Sequence, residues 1–131
     1  MKSYTDIEQS KKLAEILPLE SADMGWNVFV DGTTRILPIN DWDLVKDGSG
    51  NVKFYPAWSL AALLGVLPSR LFDSTPKRKE LYLLPDLDKS YCFYRQFAVK
   101  TKGKIYLLTE GECLVDACVA MIIKLHEQKL L

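Results

Sequence analysis

Residues 81–108 read LYLLPDLDKSYCFYRQFAVKTKGKIYLL, and they decide the fold. Leu81-Tyr82-Leu83-Leu84 is a short apolar strand ended by Pro85. Tyr91 to Lys100 is the longest strand candidate in the chain. Its odd positions are Tyr91, Phe93, Arg95, Phe97 and Val99, and its even positions are Cys92, Tyr94, Gln96, Ala98 and Lys100. Side chains alternate between the two faces of a strand, so the more apolar odd set is predicted to face the core. Thr101-Lys102-Gly103-Lys104 makes a hairpin turn, and Ile105-Tyr106-Leu107-Leu108 returns. No helix intervenes between these strands, which predicts an antiparallel meander.

The flanking segments supply the helices. Downstream, Leu114, Val115, Cys118, Val119, Met121, Ile122 and Leu125 cover a wide apolar arc at helical spacing. Thr109 and Glu112 have capping-box spacing at its start. So apolar a helix is predicted to be the central packing element on the sheet, and its excess surface could also be buried in a homodimer. Upstream, Pro56 to Leu64 is predicted as a helix with proline at its first position and Gly65 as its cap. At the start of the chain, Thr5 and Glu8 fit a capping box before Ile7, Leu13, Ala14, Ile16 and Leu17. Trp26 to Val30 and Arg35 to Leu37 read as strands joined by a turn at Gly32. Arg70 to Lys79 reads as a loop or a single turn. The fold class predicted is α+β. It has two layers, an antiparallel sheet of about 4–5 strands, helices on one face and a long C-terminal helix, in one domain over 1–131.

The composition excludes several classes. The chain has 131 residues, 17 basic and 17 acidic side chains, 48% apolar and 26% charged residues. This excludes a disordered, collagen-like or disulfide-stapled chain. The longest apolar run, Ala57 to Leu67, is interrupted by Ser59 and Gly65 and falls short of the about 20 residues that span a bilayer. The start, Met1-Lys2-Ser3-Tyr4-Thr5-Asp6, has no apolar signal core, so a cytoplasmic protein without membrane association is predicted. Residues 70–104 hold nine basic against four acidic side chains. From that segment Arg70, Lys77, Arg78, Lys79, Lys100, Lys102 and Lys104 form a candidate nucleic-acid contact.

Catalytic and metal patterns fail on spacing. His126, the only histidine, lies eight residues beyond Cys118 on one helix, about 12 Å away. A nucleophile and its base need about 3 Å. Cys92, Cys113 and Cys118 lack the paired spacing of a zinc site. A calcium loop counted from Asp41 has Val45 and Lys46 where an oxygen ligand and glycine belong, and Val52 where glutamate belongs. Pro85-Asp86 opens like a metal-dependent nuclease core, yet the only downstream acidic-x-lysine pattern, Glu127-Gln128-Lys129, lies on the last helix. No catalytic residue, cofactor or metal ligand is assigned. An enzyme using Asp41, Asp43, Asp86 or Asp88 stays open as a third class. Aromatic residues are abundant, and Trp42, Tyr94 and Tyr106 are the candidate protein-contact surface.

Three stretches carry a resemblance. They are Ser21-Ala22-Asp23-Met24 with Trp26, residues 56–68 (PAWSLAALLGVLP) and residues 115–131 (VDACVAMIIKLHEQKLL). Together they resemble short uncharacterised proteins encoded in gut-bacterial genomes, often in prophage-like regions. The resemblance implies a genomic setting and no activity, cofactor or site residue. The expected function is a non-catalytic domain acting through protein–protein contact, in the setting of a phage or mobile-element accessory protein. The alternative is a nucleic-acid-binding accessory protein.

Overall fold

The computed structural model of the chain describes residues 2–38, 52–71, 78–98 and 101–131, with 52, 78, 97–98 and 101–103 described by backbone alone. The class is α+β with antiparallel sheets, and the strands divide into two of them. Helix α1 (Ile7–Ala14) and a 3-10 turn (Leu19–Ser21) lead to β1 (Met24–Phe29), β2 (Thr34–Pro38) and β3 (Val52–Ala57). Helix α2 (Leu60–Val66) follows, then β4 (Arg70–Leu71), β5 (Arg78–Leu84), β6 (Ser90–Ala98) and β7 (Thr101–Gly111). Helix α3 (Leu114–Glu127) closes the order. The first sheet has the order β2-β1-β3 and the second β4-β5-β6-β7. The stretch expected to be a loop over Arg70 to Lys79 thus contributes β4 and the start of β5. Residues 39–51 and 72–77 lie outside the described residues.

Local chemistry explains each departure from the expected boundaries. The N-terminal capping box sits one residue later than predicted. Asp6 Oδ1 accepts from Gln9 N at 2.8 Å, and Gln9 Oε1 accepts from Asp6 N at 3.1 Å. Thr5 is instead turned into the core. Its Oγ1 accepts from Trp58 N at 3.1 Å and shares a 2.8 Å hydrogen bond with Ser10 Oγ. Pro56 is not the first residue of a helix. It lies in β3 opposite Gly25, and α2 begins after Ser59, whose Oγ accepts from Ala62 N. Asp23 fixes that start by accepting from both Ser59 N and Ser59 Oγ. Gly65 lies within α2, which ends at Leu67.

The start of α3 also differs from the expected capping box. Thr109 stays in β7, and its Oγ1 donates to Ala117 O at 2.8 Å. Cys113 is the N-cap, without a side-chain cap bond. The end of β7 passes directly under the first turn of α3. A Cβ on Gly111 would lie 2.5 Å from Asp116 Cβ and 2.7 Å from Ala117 N, so only glycine fits.

Helix α3 packs on β6 and β7, and α2 packs against α3. Val115, Ala117, Cys118, Val119, Met121, Ile122 and Leu125 are all buried. Most of the apolar arc of this helix is therefore packed inside the molecule, with Leu114 half-buried. Cys92 and Tyr94 from β6, with Leu107 from β7, meet the helix. This reverses the expected orientation of β6, whose even positions face the core.

Candidate interaction face

The register across β5, β6 and β7 fixes which side chains share a face, because directly opposed residues lie on the same side. One set of rows is Leu83–Cys92–Thr109 and Leu81–Tyr94–Leu107, on the α3 side. The alternate rows are Leu84–Tyr91–Glu110, Tyr82–Phe93–Leu108 and Glu80–Arg95–Ile105. These form the outer face, opposite the helix.

The centre of that face is apolar. Tyr82 and Phe93 stack with centroids 5.5 Å apart and planes 10° apart. Leu84, Ile105 and Leu108 remain 52%, 56% and 43% exposed, and Tyr82 37%. These four side chains together present about 350 Å² of apolar surface, within the range of the largest patch on a typical monomer. Charges sit at the ends of the strands. Arg70 pairs with Glu80 at 3.8 Å, and Lys89 pairs with Glu110 at 3.5 Å. The open edge of β7 is guarded. A register irregularity adds a residue between Ile105 and Leu107, and Lys124 Nζ donates to the outward Leu108 carbonyl at 3.4 Å. Bulges and lysines of this kind discourage strand addition.

The sequence-predicted contact residues separate. Tyr94 is fully buried, and its hydroxyl donates to Pro68 O at 2.6 Å, so it forms no part of a surface. Burial, with the Cys92 and Cys118 thiols beside it, pushes its phenol well above the usual tyrosine range. Tyr106 is 39% exposed and lies at the β7 irregularity, with Lys79 Nζ 4.8 Å from its ring centroid. It stands apart from the outer rows. Trp42 lies outside the described residues.

The basic segment does not assemble into one patch among the described residues. Lys79 is 1% exposed, because it belongs to the inner row of β5. Arg70 and Lys104 are exposed on β4 and β7, at opposite edges of the sheet. Lys77 and Lys100 lie outside the described residues, and Arg78 and Lys102 are described by backbone alone.

Two of the four carboxylates of the third class are described. Asp86 and Asp88 are exposed, and Asp41 and Asp43 lie outside the described residues. Among the described residues no group of three or more His, Cys, Asp or Glu is placed to hold a metal. A cavity of about 510 Å³ at the start of α3 is lined by Lys2, Asp86, Ser90, Glu112, Cys113 and Asp116, among others. Its central feature is an ion pair between Lys2 Nζ and Asp116 Oδ1 at 2.7 Å, with Gln9 Nε2 donating to the same oxygen at 2.8 Å. Burial pushes the Asp116 carboxyl up, but the Lys2 and Gln9 hydrogen bonds outweigh it and hold the group below the usual range. Lys2 is raised, as its two carboxylate partners outweigh its own burial. Both shifts run away from neutrality, the opposite of what proton transfer at pH 7 requires. The pair links the start of the chain to the first turn of α3.

No protein-family model matches the chain, and neither a curated protein nor a solved structure matches it. The outer face was missed because both faces of β6 are apolar. A signal for it existed in Leu81-Tyr82-Leu83-Leu84 and Ile105-Tyr106-Leu107-Leu108, which are apolar at consecutive positions. An antiparallel sheet with one wet face alternates instead.

Proposed function

We propose that the chain is a small non-catalytic α+β domain that acts through protein–protein contact, using the outer face of β5, β6 and β7. The observation that carries this reading is the Tyr82–Phe93–Leu108 row, with Tyr82 and Leu108 exposed and Phe93 half-buried, flanked by the exposed Leu84 and Ile105 on the side of the sheet opposite α3. At about 25 cal/mol per Å², covering the about 350 Å² of these side chains offers roughly 9 kcal/mol before association costs. Among the described residues, no helix is long and apolar enough to cross a membrane. The resemblance to proteins of prophage-like regions supports an accessory role in a phage or mobile element.

The test is affinity capture from source-cell lysate, with and without nuclease, using the wild-type chain and a folded Leu84→Asp/Leu108→Asp variant. A set of proteins captured by the wild type in both samples and lost by the variant is expected. Retention of the same set by the variant overturns the assignment of the face. Capture that vanishes with nuclease moves the function to the basic residues Arg70 and Lys104 and their neighbours in sequence.

A further inference from the structure

We propose that the cavity at the start of α3 binds a primary alkylammonium group, the chemistry of a lysine side chain or of a free aliphatic amine. The cavity, of about 510 Å³, shares no residue with the outer rows of β5, β6 and β7. Three observations select this ligand.

The first is an unanswered hydroxyl. Ser90 opens β6 opposite Gly111, on the α3 side of the sheet, and lines the cavity. It is only 4% exposed, and among the described residues nothing hydrogen-bonds its Oγ. A buried hydroxyl without a partner costs free energy, which a ligand atom placed against it recovers.

The second is charge. The charged side chains of the lining are Lys2, Asp86, Glu112 and Asp116. Lys2 is already answered, by Asp6 at 3.0 Å and by Asp116 at 2.7 Å. Asp86 and Glu112 have no cation partner among the described residues. The neighbouring Lys89 pairs with Glu110 instead, at 3.5 Å. The charge left over in the cavity is therefore negative and calls for a cation. A helix N-terminus draws anions, but Asp116 already supplies one in the first turn of α3.

The third is the wall. Leu60, Pro85, Leu87 and Leu114 line the rest of the cavity, and Leu87 is fully exposed. Such a wall suits an alkyl chain and gives nothing to a hydrated metal ion. Among the described residues no group of three or more His, Cys, Asp or Glu is placed to hold a metal in any case. An ammonium is a compact charge with three N–H donors and no acceptor. The cavity offers it Ser90 Oγ and the Asp86 and Glu112 carboxylates, all with lone pairs to spare.

Titration followed by amide NMR tests the proposal, with n-pentylammonium and Nα-acetyl-lysine methylamide as probes. Saturable shifts at Ser90, Cys113 and Leu114 are expected, with a Kd in about the millimolar range usual for ligands so small. Pentanol and inorganic phosphate should leave these signals in place. Ser90→Ala is expected to raise the Kd about tenfold, the effect of one hydrogen bond to a charged group. Glu112→Gln, at an exposed carboxylate, should raise it about threefold. Glu127→Gln removes the same charge at the far end of α3 and should leave the Kd unchanged. Tighter binding of the lysine derivative supports a peptide side chain as the source of the ammonium, and tighter binding of n-pentylammonium supports a free amine. Absence of saturable shifts with both ammonium probes overturns the proposal. So do equal shifts with pentanol, larger shifts with phosphate, or wild-type affinity in both Ser90→Ala and Glu112→Gln. A Glu127→Gln variant weakened as much as Glu112→Gln also overturns it, since the attraction would then belong to the whole chain.

Discussion

Replacing Tyr94 by phenylalanine separates a core role from a surface role at one residue. The ring sits on the inner side of β6, in a row with Leu81 and Leu107, and is fully buried. Tyr94→Phe keeps the ring and its packing. It removes one hydrogen bond, the 2.6 Å contact from the hydroxyl to Pro68 O. Pro68 is only half-buried, so its carbonyl can recover part of that bond from water. The net cost is then that of one ordinary hydrogen bond, about 1–1.5 kcal/mol. Truncation to alanine also opens a cavity and costs about 3–5 kcal/mol. With a urea slope of about 2 kcal/mol/M, Tyr94→Phe shifts the unfolding midpoint by about 0.5–0.7 M. In a thermal scan this corresponds to about 3–5 °C. A variant as stable as the wild type within about 0.3 kcal/mol would refute the inner placement of Tyr94 and with it the outer face.

Three further outcomes follow from the same contacts. Gly111→Ala should destabilise by about 1–3 kcal/mol in urea unfolding, since its Cβ meets backbone in the first turn of α3; a neutral result would show that this turn can move aside. The depressed Asp116 carboxyl contributes stability that is present above its unfolded value near pH 4 and lost as pH falls through the lower folded value. Asp116→Asn should therefore cost about 0.5–1 kcal/mol at pH 7, and less as acid protonates the wild-type carboxyl; a cost independent of pH would exclude the ion pair as its source. Cys92 and Cys118 are fully buried, and the hydrogen bond to Cys118 together with burial raises the Cys92 thiol, while Cys113 is half-buried beside the cavity. An aromatic disulfide reagent should label one thiol in the native chain and the other two only in denaturant, whereas equal rates for all three would contradict this burial.

The elements were legible where a local pattern had one solution. The strands at 81–84 and near 91–100, the return at 105–108 and the helix after 113 all follow from periodicity and turn residues. The α+β class follows from their order. Boundaries failed where a tertiary contact outbid a local one. Thr5 offers a good cap, but Trp58 N and Ser10 claim its hydroxyl, and the neighbouring Asp6 takes over. Pro56 has the right backbone for a helix start, yet Gly25 across the strand holds it extended. The inner and outer sides of β6 could not be told apart by apolar content. Period two defines two faces and does not say which one meets a helix. Here the compact Cys92 lies against Cys118 and Tyr94 reaches Pro68, while Phe93 pairs with Tyr82 outside. The interaction face depends on that choice, so it became visible only with the register. The basic segment shows the same limit, since Lys79 is continuous in sequence with other charged residues but points inward.

The first residues of the described chain act as a strap across distant parts of the fold. Lys2 bonds Asp116, which lies 114 positions away, Thr5 bonds Trp58, 53 positions away, and Trp26 Nε1 donates to Thr5 O. Closing such long loops costs entropy that grows only slowly with length, but it can be recovered only after both anchors are in place. Contacts so distant in sequence also slow folding relative to local ones. The strap is accordingly expected to dock after the second sheet and α3 have formed, on the native side of the rate-limiting step. Weakening it at Lys2 then hastens escape from the native state and leaves the rate of reaching that state nearly unchanged. The lifetime of the folded molecule, rather than the speed of its acquisition, is what this segment controls.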